Sequence, residues 1–166
     1  MARAELAGWG SWRRIATDGA IDSEQRVLVD PAVVERSENG ARRLATSYWD
    51  ALNGFGGRLF NAREHSGGVD VRILRGGPVL LALGPVETEI SRTTIAASHT
   101  IIGGLLVRRR GGRISFEQLE GEPIELRSRI SGFYPRRGPF YGLVQWKLHV
   151  AVSRRYFRRL IRGEPA

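Results

Sequence analysis

The chain has 166 residues, 42% hydrophobic and 26% charged, which suits one compact unit with enough apolar side chain for a core. It has no cysteine, which excludes disulfides, thiolate metal sites and a cysteine nucleophile, and no apolar run reaches the roughly 18 residues of a membrane span. With 26 basic against 17 acidic residues the formal charge is +9, a balance that suits a polyanionic partner, but Lys147 is the sole lysine and a GC-rich genome produces the same arginine bias.

Residues 1–25 read as a loosely structured leader in which Trp9, Trp12 and Ile15 stand among glycines and charges. The opening MARAELAGWGSWRRIATDG lacks the apolar stretch of a signal peptide, so a cytoplasmic chain is expected. Arg26–Asp30 suits a short strand. Asp30 followed by Pro31 then predicts a helix start, because Asp caps a helix and Pro fits its first position. Leu44, Ala45, Tyr48, Trp49 and Leu52 carry the helical spacing to Asn53, Asn39 and Gly40 mark a potential break, and Gly54 and Gly56 end it.

From Gly67 to Pro135 the pattern changes to six period-two runs separated by glycine and proline turns, as in antiparallel hairpins. In the last run Ile124, Leu126, Ser128 and Ile130 share one face, and Glu125, Arg127 and Arg129 share the other. The closing segment predicts one helix from about Pro139 to Arg162, its last turns rich in arginine. Trp146 and Tyr156 are expected to be largely buried, and Arg158 and Arg159 exposed.

Strand, helix, antiparallel strands and a long final helix define an α+β class: a curved antiparallel sheet of six to seven strands wrapped around the C-terminal helix, a helix-grip arrangement spanning residues 26–166 as a single domain. Three stretches carry a likeness: Ser98–Leu106, Ile130–Arg136 (ISGFYPR) and Gln145–Phe157 (QWKLHVAVSRRYF). The chain resembles, in topology, the superfamily of START, Bet v 1-like and polyketide cyclase proteins, and these stretches are similar to bacterial proteins of that shape. The resemblance implies an internal cavity for a lipid, a polyketide or another apolar small molecule. It brings no catalytic signature, so cyclisation or hydration stays open.

Among polar residues, Gln145, His149 and Ser153 recur at intervals of four and form a polar row on an otherwise apolar helix, next to Tyr141 and Trp146. Facing a cavity, such a row orients a ligand carbonyl or moves a proton; facing water, it does nothing. His99 lies in a strand on the side of Ile95, Ala97 and Ile101, so it points where apolar groups point, and His65 falls in a loop. The ligand-binding candidates are therefore His99, Tyr141, Gln145, Trp146, His149 and Ser153. Glu87 and Glu89 form a carboxylate pair on one strand face, with Arg127 and Arg129 as expected partners across the sheet. No histidine spacing, calcium loop or phosphate-binding glycine loop is present, so no metal or cofactor is expected. Two readings follow. One is a binder of an apolar or amphipathic small molecule. The other is a basic module that holds nucleic acid or an anionic membrane surface through Arg108, Arg109, Arg110, Arg154, Arg155, Arg158 and Arg159.

Overall fold

The computed structural model describes residues 6–56, 59–136 and 138–163, without the side chains of 138–144. Ten strands and two helices follow in the order β1 (Gly10–Ile15), β2 (Ile21–Val29), α1 (Glu38–Asn53), β3 (Phe60–His65), β4 (Gly68–Ile73), β5 (Val79–Leu83), β6 (Glu87–Ile90), β7 (Thr94–Gly103), β8 (Val107–Arg109), β9 (Arg113–Leu119), β10 (Ile124–Pro135) and α2 (Gly138–Ile161). All pairings are antiparallel along the path β1-β2-β10-β9-β7-β5-β4-β3; β6 adds to β7 and β8 to β10. The curved sheet wraps partly around both helices, a helix-grip-like α+β fold.

Strand alternation decides which side chains meet the helices. On the inner face stand Ile95, Ala97, His99 and Ile101 of β7, Ile114, Phe116 and Gln118 of β9, and Ile124, Leu126 and Ser128 of β10, all buried. The helices close over this face. Along α1, Ala41, Leu44, Ala45, Tyr48, Trp49 and Leu52 are buried at helical spacing, and Val152, Tyr156 and Phe157 do the same on α2. The Tyr156 hydroxyl donates to the Leu44 carbonyl at 2.9 Å, so the helices are joined by a buried hydrogen bond as well as by packing.

Four expectations need correction. Residues 10–25 form a paired hairpin and are not loose. Gly10–Ile15 is paired residue for residue with Ile21–Arg26, so β1 and the first half of β2 extend the sheet beyond the expected strand count. Asp30 does not cap a helix: its carboxylate accepts from Ala32 N at 2.8 Å in a local turn, and α1 starts only after Ser37. There the Ser37 hydroxyl accepts from Gly40 N at 3.0 Å, so Gly40 lies in the first turn instead of breaking the helix. Its lack of a side chain is needed, because a Cβ would stand 1.8 Å from the Glu35 carbonyl oxygen. His65 ends strand β3, opposite Gly68, and is not a loop residue.

The outer face is polar. Glu87 and Glu89 are exposed, and Glu87 approaches Arg113 of β9 at 3.5 Å; β7 and β9 lie between them and β10, so Arg127 and Arg129 are not their partners. Arg127 instead binds Glu125 on its own strand.

Candidate functional site

Helix α2 turns its polar row inward. His149 is 9% and Ser153 0% exposed, and the buried Oε1 of Gln145 has no hydrogen-bond partner. The row therefore faces the protein interior, where each unpaired polar atom costs on the order of 1–3 kcal/mol.

The pivot is His149. Its Nδ1 lies 2.6 Å from the Tyr48 hydroxyl on α1. The Tyr48 hydroxyl and Nδ1 share this hydrogen bond, and Nε2 of the same ring is buried without a partner. Burial away from charge holds the imidazole neutral, with its pKa lowered from 6.5 to about 4. Burial likewise pushes the Tyr48 phenol up, so it remains protonated and a donor. Behind this pair, Ser153 Oγ reaches Gln25 Oε1 of β2 at 3.4 Å, and Gln25 is 0% exposed. A buried polar seam thus runs from β2 through α2 to α1.

In front of His149 lies a cavity of about 100 Å³ between the helices and the inner face of β3–β5. Its walls are mostly apolar, including Trp49, Phe60, Val71, Leu81, Leu106 and Val152, with Gln145 and His149 as polar groups. A small side chamber of about 20 Å³ shares Ile130, Gln145 and His149 with it and adds Ile21, Ser23, Phe133 and Trp146. An apolar space with few converging polar groups is the usual form of a small-molecule site.

The six sequence candidates divide accordingly. Gln145, Trp146 and His149 come together around the cavity and its side chamber. Trp146 is half-buried instead of fully so, with its indole N–H buried and unpartnered. Ser153 stands one turn further along α2, against Gln25. The Tyr141 side chain lies outside the described residues. His99 lines a different cavity, of about 190 Å³, with Arg42, Thr46, Glu64, His65 and Val86. There its Nδ1 donates to the Gly84 carbonyl at 2.8 Å, its ring packs edge-on to Trp49, and burial lowers its pKa. Sequence reasoning treated Tyr48 only as an apolar spacing position. The available signal was that a tyrosine in a buried stripe needs a partner for its hydroxyl.

The arginines form two groups. Arg108, Arg109 and Arg110 are exposed, and the first two lie over the Tyr134 ring, beside Asp18, which accepts from the Tyr134 hydroxyl at 2.5 Å. Arg154 and Arg155 are exposed on the second half of α2, whereas Arg158 and Arg159 are half-buried, contrary to expectation, with Arg159 beside Gly54 at the end of α1. The groups stand near opposite ends of α2, roughly 25 Å apart along its axis. Among the described residues no helix is long and apolar enough to cross a membrane.

No family model matches the chain, and no match to a curated protein or a solved structure is found. What the geometry defines is thus a class: a helix-grip-like fold, an architecture suited in general to holding a small molecule.

Proposed function

We propose that the protein binds a small amphipathic molecule in the cavity between α1, α2 and β3–β5. One observation carries this reading: His149, a neutral imidazole, lines an otherwise apolar space, and its Nε2 is buried without a hydrogen-bond partner. A dry, side-chain-filled core would leave that nitrogen and the Gln145 carbonyl oxygen without partners. A ligand with a polar head and an apolar body satisfies them and covers the apolar walls at once. Nothing in the arrangement calls for a reaction, because an imidazole held near pKa 4 is a weak base at neutral pH; it serves as a neutral hydrogen-bonding group.

The test is thermal unfolding of the protein with benzyl alcohol or hexan-1-ol, compared with Leu148→Trp, which fills the cavity from α2. Ligand at 100 times its dissociation constant stabilises the native state by about 2.7 kcal/mol. The expected result is a concentration-dependent rise in melting temperature for the unaltered protein and none for Leu148→Trp. Equal shifts in the two proteins, or no shift in either, would overturn the reading.

A further inference from the structure

We infer that the cavity of about 190 Å³ beside α1 is a second binding site, which holds a small primary ammonium ion between His99 and Glu64. It shares no lining residue with the proposed small-molecule cavity and does not depend on that reading.

The site lies between α1, the β3–β4 hairpin, the β5–β6 connection and β7. His99 is its buried polar side chain, only 4% exposed. A carbonyl oxygen only accepts, so the 2.8 Å contact with Gly84 fixes the ring proton on Nδ1. Burial lowers the pKa of the ring, which is therefore neutral at pH 7. Nε2 is then a bare acceptor, and it forms no hydrogen bond among the described residues.

The donors around it are already engaged. Arg42 donates to Glu38 at 3.1 Å and to Thr88 at 3.3 Å. His65 stands with Nε2 3.7 Å from Asp70, while its Nδ1 accepts from Gly67 N at 3.1 Å. Glu64, exposed on the rim, has neither a hydrogen bond nor an ion pair among the described residues. What the cavity lacks is thus a donor. The charge of that donor follows from the carboxylates: Glu64 and Glu87 both favour positive charge at the His99 ring, and a cation beside Nε2 gains this attraction without protonating the imidazole. No group of three metal-ligating side chains occurs among the described residues, so an organic cation suits the site better than a metal ion. A primary ammonium carries three N–H donors on one atom and can bond Nε2 and the Glu64 carboxylate together, in charge-assisted bonds. Val69, Pro85 and Val86 offer its alkyl chain an apolar wall.

The probe is butylammonium at pH 7, where a primary amine is charged, compared with butan-1-ol and butyrate at equal ionic strength. Long-range proton–nitrogen NMR spectra resolve the rings of the three histidines. Butylammonium is expected to shift the His99 ring signals saturably, with an affinity at least about tenfold above that of butan-1-ol, and butyrate to leave them unmoved. Glu64→Gln should weaken the amine by about threefold or more, since this partner is exposed to water. His99→Asn, which keeps an amide donor for the Gly84 carbonyl and removes Nε2, should abolish binding as followed by the Val69 and Val86 methyl signals. An unmoved His99 ring, equal affinity for amine and alcohol, or full binding in either variant would overturn the second site. Shifts at His149 alone would assign the amine to the apolar cavity, and would overturn it as well while leaving the proposed function in place.

Discussion

Tyr48 and His149 form a bond between two helices whose strength depends on protonation. The folded protein keeps the imidazole neutral, with a pKa of about 4 against the ordinary 6.5, so as pH falls the unfolded chain takes up a proton before the folded one does. The stabilisation is therefore complete above about pH 6.5, is lost as pH falls toward 4, and levels off below that. Between pH 7 and pH 4.5 the loss is about 2–3 kcal/mol. Urea unfolding at the two pH values should show it, and His149→Leu should remove most of it by deleting the titrating group. A shallower dependence stays in the variant, because burial lowers the pKa of His99 as well and acts with the same sign. An unchanged dependence in His149→Leu would mean that the imidazole is not buried in its neutral form.

At the level of elements, the start of α1 provides a test with a counter-intuitive sign. Alanine is better than glycine in a helix by about 1 kcal/mol, so propensity alone favours Gly40→Ala. The fold reverses this. The Glu35 carbonyl, which also accepts from Gln118 Nε2 of β9 at 3.0 Å, occupies the place of the new methyl group. Gly40→Ala is therefore expected to destabilise by about 1–3 kcal/mol, read from the midpoint of urea unfolding; a stabilised variant would disprove the close approach. The same elements show what a sequence makes legible. The runs that became β4 to β10 were readable because their inner faces are apolar, so alternation marks them. β1 and the first half of β2 escaped because their inner-face positions carry Ser11, Arg13, Ser23 and Gln25, which look like the residues of a loop. Of these, Gln25 belongs to the seam and Ser23 lines the side chamber, so a part of the fold that is hard to read contributes to the site. The row Gln145, His149 and Ser153 was visible from spacing, but its inward orientation and the tyrosine across from it depend on tertiary packing.

For the whole molecule, charge is dispersed and not focused. The two arginine tracts stand near opposite ends of α2, and the outer sheet face alternates Arg26, Arg127 and Arg129 with Glu24, Glu117 and Glu125. A DNA or anionic-vesicle surface can meet Arg108, Arg109 and Arg110 together, but not the arginines of the second half of α2 at the same time. Binding to duplex DNA should then follow salt with a slope of about −3 in log–log form, as expected for roughly three phosphates. A slope of −6 or steeper, measured by fluorescence anisotropy across a salt series, would require both groups to engage one surface and would favour the nucleic-acid reading over the small-molecule one.

The pairing of β2 with β10 also bears on the order in which the protein is made. Ile21 and Ser23 are synthesised near the beginning and Trp146 and His149 near the end, so the chamber they share is incomplete for most of the ribosome's passage along the message. At about 5–20 residues per second the first half of the site waits on the order of ten seconds for the second. Until α2 emerges, α1 covers only its own part of the inner sheet face, on β7 and β9. During that interval Gln25 and Tyr48 lack their α2 partners, and the apolar surface and polar groups beneath α2 are withdrawn from water together in a single late step.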